Sequence, residues 1–350
     1  MCLGLLRGLG DKGHMATEAF LASAGLTDEV VRRDAKTNLR KAADVLQSGG
    51  LVAFPTETVY GLGANALDAT AVARVFEVKR RPRFDPLIVH VHSMVQARLV
   101  ACYWRDTAVE LARRFWPGPL TLVLPKSDVV PDIVTSGLST VAVRVPDHPL
   151  ALALIAEAGL PVAAPSANTF GSISPTRAEH VRKQLDGEID LLLDGGPCRV
   201  GVESTILSLE DDVPLLLRAG GTPLEEIESV VGPVRRQRSD PGRPTAPGQC
   251  PQHYAPKTQL VLWQDDGSPP ASPRAGLLTL CPPADPNQFA AVEVLAESGN
   301  LREAATNLFA ALHRLDAMGL DLIVAVPVPD EGLGLAINDR LRRAATTNKQ

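Results

Sequence analysis

The chain has 350 residues, 45% of them hydrophobic and 21% charged, the balance of a soluble globular protein long enough for two domains with full cores. Its formal net charge of -5 argues against a dedicated nucleic-acid coat protein, and no apolar run approaches the roughly 18 residues that span a bilayer. Five scattered cysteines (Cys2, Cys102, Cys198, Cys250 and Cys281) form no CxxC pair, so they read as free thiols of a reducing cytoplasm rather than a zinc site or a disulfide framework.

The opening MCLGLLRGLGDKGHM has too short an apolar run for a signal peptide, and residues 1–36 are expected to be a poorly ordered extension of a cytoplasmic protein. From residue 37, TNLRKAADVLQSGG predicts a capped helix with Leu39, Ala42, Ala43 and Leu46 on one face. LVAF (51–54) predicts a short buried strand. DATAVARVFEVKRR predicts a helix with Val72, Val75 and Phe76 inward, ending in a basic cluster. Then come strand LIVHV (87–91), helix DTAVELARRFW, strands LTLVL (120–124) and TVAVRV (140–145), helix HPLALALIAEAG, strand PVAA (161–164) and helix TRAEHVRKQL. DLLLDGG, STILSL and PLLLRA add further strands. Strands and helices mix without strict alternation, which predicts an α/β fold with a sheet of mixed direction.

Residues 233–257, rich in Pro, Gly and Arg, predict a linker. Beyond it, QLVLW, GLLTL, VEVLA, a helix from about Leu301 to Met318, DLIVAV and AINDRLRRAA predict a smaller βαβ-type, Rossmann-like domain. The expected units are therefore 1–36, 37–232, the linker and lid 233–257, and 258–345.

No P-loop, HExxH or GxSxG occurs. GLGANA (61–66) fits GxGxxA, but PTETVY separates it from the strand that a dinucleotide site requires. The remaining signals converge on an anionic ligand. Lys79, Arg80, Arg81 and Arg83 crowd together, and like charges at that density call for an anion or a solvated helix end. Arg144 interrupts an apolar strand and Arg218 ends another, each needing an anionic partner, with a structural ion pair as the alternative. PTETVYGLG (55–63) sets hydroxyls and a carboxylate in a loop after a strand. PSAN (165–168) and GVESTI (201–206) add small hydroxyl residues. Guanidinium groups beside hydroxyls suit a ligand of nucleotide size.

FPTETVYGLGA, KRRPRFDPLIVH, WPGPLTLVL, VAVRVPDHP, APSAN, GVESTI and LLRAG follow in order over residues 51–220. This series resembles the YrdC-type threonylcarbamoyl-AMP synthases, and HYAP (253–256) with the C-terminal unit resembles their two-domain form. The resemblance implies a YrdC-like twisted mixed sheet and the joining of L-threonine, bicarbonate and ATP into threonylcarbamoyl-AMP and pyrophosphate. The product would feed the tRNA threonylcarbamoyl transferase machinery that modifies ANN-decoding tRNAs. It assigns Lys79, Arg81, Asp85, Thr140, Ser166, Asn168, Ser174 and Arg218 to ATP, with Lys79 and Arg81 on the phosphates. Thr58, His90, Arg144, Ala164 and Ser204 fall to L-threonine, Tyr60 to the bicarbonate or carbamate, and His253 with Tyr254 to a lid. Asp85 departs from the family's usual Asn and sets a carboxylate near the phosphates. Mg²⁺ is implied through ATP, with no metal ligand assigned to the protein. The synthase reading allows a weak RNA contact; the alternatives are an RNA-binding module using the basic cluster and linker arginines on RNA phosphates, and an inactive paralogue.

Overall fold

The computed structural model describes residues 29–236, 246–247, 253–263, 270 and 272–346, with side chains from residue 35. Helix α1 (Glu29–Gln47) starts eight residues before the expected cap at Thr37, because the helix-compatible run EVVRRDAK extends it upstream. Residues 1–28 of the predicted extension lie outside the described residues. Leu39, Ala42, Ala43 and Leu46 are buried on one stripe, and Gly49 at φ 82° turns the chain after the helix.

The first sheet is built from β1 (Val52–Phe54), β2 (Gly61–Asn65), β3 (Ile88–His90), β4 (Leu120–Pro125), β5 (Thr140–Arg144), β6 (Val162–Ala163), β7 (Leu191–Leu192), β8 (Thr205–Ser208), β9 (Leu215–Arg218) and β10 (Arg235–Arg236). Its order is β10-β9-β8-β4-β5-β3-β6-β2-β1-β7, and it mixes parallel pairs such as β3/β5 with antiparallel ones such as β4/β5, as the sequence predicts. β10 carries the sheet into the first residues of the expected linker, Arg235 pairing with Leu215.

Apolar layers cover both faces. Val52 and Phe54 of β1 pack with α1 and with the helix Pro149–Ala158, while the alternating Leu51 and Ala53 face the opposite core. That second core takes the helices Ala69–Lys79, Met94–Val100, Asp106–Phe115, Ala178–Leu185 and Leu224–Val231. In Ala69–Lys79 the side chain of Asp68 caps Thr70 and Ala71, and Val72, Val75 and Phe76 are buried. Each such side chain contributes roughly 1.5–3 kcal/mol on transfer from water, which anchors the helix end that presents Lys79.

GLGANA does not open a helix. Gly61–Asn65 is a strand antiparallel to β1, and its glycines serve close packing. A Cβ on Gly63 would come within 2.7 Å of Phe54 and 2.8 Å of Val162. This removes the dinucleotide resemblance on structural grounds.

The second sheet joins β11 (Leu260–Leu262), β12 (Ala275–Thr279), β13 (Ala291–Val294) and β14 (Leu322–Ala325), all parallel, in the order β11-β14-β12-β13. The helices Leu301–Asp316 and Gly334–Ala344 accompany it. Its core is shared with the first unit: Val59, Ile173 and Val202 pack in one cluster with Phe309, Leu312 and Ile337. Gly201, at φ 77°, allows this contact, since a Cβ there would lie 2.4 Å from the Ala305 carbonyl oxygen.

Candidate functional site

The C-terminal end of the helix Ala69–Lys79 turns sharply. Arg80 adopts the left-handed conformation at φ 53°, unusual and strained for a residue with a side chain. The turn splits the basic cluster. Arg80 and Arg83 face solvent, whereas Lys79 and Arg81 are buried. Lys79 Nζ donates to the carbonyl oxygens of Ser166 and Asn168, and the Lys79 carbonyl accepts from Phe170 N at 2.8 Å. The helix end and the PSAN loop are thus laced together. Burial, and then the Arg81 charge, hold the Lys79 pKa well below the ordinary lysine value.

Arg81 forms an ion pair with Asp85 at 2.8 Å and donates to the carbonyl oxygens of Asp85 and Pro86. Asp85 is fully buried, and burial raises its pKa against the pull of Arg81, Arg218 and Lys79. The carboxylate that departs from the family pattern is therefore a partner of Arg81.

Arg144, at the end of β5, sits between His90 on β3, its register partner, and the turn at residues 56–59. That turn is fixed locally: Thr56 Oγ1 bonds the Val59 carbonyl at 2.7 Å and Thr58 Oγ1 at 2.8 Å. Arg144 donates to Thr58 Oγ1 at 3.0 Å and has Glu57 at 3.6 Å. Arg218, ending β9, donates to Ser204 O, Ser204 Oγ and the Pro247 carbonyl. Ser204 Oγ lies 2.7 Å from Thr121 Oγ1.

These groups enclose one cavity with an empty volume of about 530 Å³, mouth included. Thr58, Arg81, His90, Arg144, Ala164, Ser166, Ser204, Arg218, His253 and Tyr254 line it, so all five residues expected on threonine and both lid residues meet there. Lys79, Asp85, Asn168 and Ser174 stand behind the wall, tied to lining groups by the bonds above and by Ser174 Oγ to Glu203 at 2.6 Å. Four lining residues bury polar atoms with no hydrogen-bond partner among the described residues: His90 Nδ1, Arg144 Nε, His253 Nδ1 and Tyr254 OH. A buried polar atom without a partner costs about 1–3 kcal/mol, so these four are groups that a polar ligand would satisfy.

Two expected residues fall elsewhere. The Tyr60 hydroxyl donates to the Gly196 carbonyl at 2.8 Å and accepts from Gly195 N, away from the cavity lining. Burial raises its pKa and keeps the phenol protonated. Thr140 begins β5 and shares the face of Ala142 and Arg144, but four residues, roughly 13 Å of strand, separate it from Arg144. Two residues with no assigned role do stand at the cavity: Glu203 lines it, and Arg340, from the last helix, bonds Glu203 at 2.8 Å.

His253 packs edge-on to Phe170 at 5.5 Å and against Tyr254 at 4.1 Å, and Tyr254 packs on Phe309 at 5.6 Å. Ala255 N bonds the Gly171 carbonyl at 2.8 Å. Among the described residues no three His, Cys, Asp or Glu side chains form a metal cage. The carboxylate in the cavity wall is already engaged by Ser174 and Arg340.

Burial holds His90 and His253 well below the ordinary histidine pKa, and it lowers the stacked interdomain pair His180 and His313 to about 3 and about 4. Below about pH 6.5 the unfolded chain protonates these rings while the folded one does not. The contribution of these rings is therefore expected to be flat above pH 7 and to fall as pH drops below about 6.5, by up to ~1.4 kcal/mol per pH unit for each ring. Asp85, with its raised pKa, opposes this trend. Urea denaturation at pH 7.5, 6.0 and 5.0 checks the trend, and equal midpoints would refute it.

A family model described as "Telomere recombination" matches residues 44–220, and one described as "Threonylcarbamoyl-AMP synthase, C-terminal domain" matches residues 222–346. The chain is 46% identical over 329 residues to the threonylcarbamoyl-AMP synthase of Pyrococcus abyssi, covering 88% of this chain and 94% of the relative. It is 45% identical over 335 residues to that of Bacillus subtilis, covering 91% and 96%. A crystal structure of P. abyssi Sua5 complexed with L-threonine superposes with a TM-score of 0.81 at 45% identity, over 88% of this chain and 94% of that one. No described helix is long and apolar enough to cross a membrane. With both family models in tandem and relatives matched over nearly their whole length, the chain belongs to the two-domain threonylcarbamoyl-AMP synthase family.

Proposed function

We propose that this chain is an L-threonylcarbamoyladenylate synthase. It condenses L-threonine, bicarbonate or CO₂, and ATP into threonylcarbamoyl-AMP and pyrophosphate, for a downstream transferase that modifies tRNA. The observation that carries the reading is the cavity itself, with Arg81, Arg144 and Arg218 in its lining and with partnerless buried polar atoms on four of its lining residues. Three guanidinium groups on one small cavity suit a ligand set carrying both a carboxylate and phosphates.

In this reading Arg144, with Thr58, receives the α-carboxylate of threonine, and His90 and Ser204 orient the amine and hydroxyl end. Arg81, Arg218 and Ser166 meet ATP, with Lys79, Asn168 and Ser174 fixing the wall behind them. The amine adds to CO₂ to give an N-carboxylate, whose oxygen displaces pyrophosphate from the α-phosphorus. No protein nucleophile is required, so the chain's work is orientation and charge neutralisation. Burial keeps His90 neutral, which suits a hydrogen-bonding role beside the amine. Mg²⁺ entering with ATP would supply further neutralisation on the phosphate oxygens. His253 and Tyr254 cover the site and keep water from a labile mixed anhydride. The RNA-binding alternative has weaker support, because half of its basic cluster is buried.

The test is pyrophosphate release from the purified protein with ATP and Mg²⁺. Release is expected only when L-threonine and bicarbonate are both present. Release indifferent to threonine, or none from a folded protein that binds ATP, overturns the reading.

A further inference from the structure

Arg340 belongs to the last helix, Gly334–Ala344, of the C-terminal unit, yet it is completely buried and its contacts reach the other unit. Its Nε donates to Glu203 Oε2 at 2.8 Å, and its Nη1 donates to the Ala219 carbonyl at 2.7 Å and to Asp339 at 2.8 Å. Its guanidinium also stacks over Tyr254 at 5.2 Å. Glu203 directly precedes Ser204, and Ala219 directly follows Arg218. One guanidinium therefore staples the two segments that present Ser204 and Arg218 to the cavity. The segments touch so closely that a Cβ on Gly220 would lie 2.3 Å from the Glu203 carbonyl oxygen.

The charges matter as much as the geometry. Glu203 is a carboxylate in the wall of a cavity that receives phosphates, which taken alone would repel them. Arg218, by contrast, bonds only neutral groups among the described residues: two oxygens of Ser204 and the Pro247 carbonyl. We propose that Arg340 is a positioning residue of the synthase site: it compensates Glu203, so that the carboxylate neither repels the nucleotide nor captures Arg218. The C-terminal unit thereby completes the active site from behind. The inference rests on the synthase reading for the identity of the anion.

The experiment compares the wild type with Arg340→Met, Arg340→Lys and the double variant Glu203→Gln/Arg340→Met. Steady-state pyrophosphate release gives the KM for ATP and for threonine. Calorimetry with a non-hydrolysable ATP analogue and Mg²⁺ gives the nucleotide Kd without turnover. Arg340→Met leaves a buried charge uncompensated and is expected to raise the ATP KM and the analogue Kd on the order of 30-fold, with the threonine KM moving less than about threefold. Arg340→Lys, which keeps the charge, is expected to lose much less. The double variant, with neither charge, is expected to restore the nucleotide affinity to within about threefold of wild type. It holds no uncompensated carboxylate, so it decides the matter even if Arg340→Met fails to fold. A wild-type ATP KM in Arg340→Met, or a double variant still weakened tenfold or more, overturns the proposal. Should the wild type itself release no threonine-dependent pyrophosphate, the synthase reading falls, while the calorimetric comparison still judges the role of Arg340.

Discussion

Arg144→Lys is expected to lower kcat/KM for threonine about 100-fold, equivalent to roughly 2.7 kcal/mol, while leaving ATP-analogue affinity within about threefold. The substitution keeps a cation on β5 but removes the fork that meets a carboxylate through two parallel bonds. Arg144 is buried, donates to Thr58 and has Glu57 3.6 Å away, so its position does not depend on the substrate. Breaking one partner of a buried charge pair costs about 2–5 kcal/mol, which brackets the expected loss. Arg144→Met should fall at the upper end of that range. The kinetic split is the diagnostic. A lysine variant whose loss appears equally in threonine and ATP affinity would make Arg144 a structural ion-pair residue, the alternative its place in an apolar strand left open.

Lys79→Met is expected to cut turnover by about 100-fold or more, since its ammonium, though it touches only the Ser166 and Asn168 carbonyls, stands directly behind Ser166 and adds positive potential where the phosphates bind. The accompanying change in thermal stability is expected to be small. Lys79 is 1% exposed and its ammonium is held by neutral carbonyl oxygens, so burial works against its charge and depresses its pKa. Removing that desolvated charge offsets the two carbonyl bonds that are lost. A shift within about 4 °C of the wild-type Tm is the expected outcome, at roughly 2–4 °C per kcal/mol for a chain of this size. A fall of more than 10 °C, with residual activity tracking the folded fraction, would show that Lys79 only fastens the PSAN loop to the helix end.

The large elements were legible wherever apolar period and punctuation agreed. Val72, Val75 and Phe76 and the strand LTLVL are examples, with faces fixed by which side must leave water. β2 was hidden because GLGAN has no β-branched residue. It forms a strand because only glycine fits between Phe54, Val162 and Ala164, a tertiary constraint invisible along the chain. The turn of Tyr60 away from the cavity was equally illegible. Its hydroxyl finds Gly195 and Gly196, more than 130 positions away, and the turn at 56–59 fixes which side chains face the cavity. Arg340 did carry a readable signal. In AINDRLRRAA the helical period places it on the stripe of Ala336, Ile337, Leu341 and Ala344, all of them buried. An arginine on an apolar stripe asks for an anion, and Glu203, inside the quoted GVESTI, was that anion. Neither half pointed to the other because they lie 137 positions apart.

That separation bears on how the protein is made. A ribosome adding roughly 5–20 residues per second delivers Arg340 about 7–27 s after Glu203. Until then the first unit emerges with a wall carboxylate that has no guanidinium opposite it, and with Val59 and Val202 uncovered. Nascent chains halted before the last helix should therefore bind ATP poorly even where the large sheet has formed. The finished pocket waits on the making of Arg340.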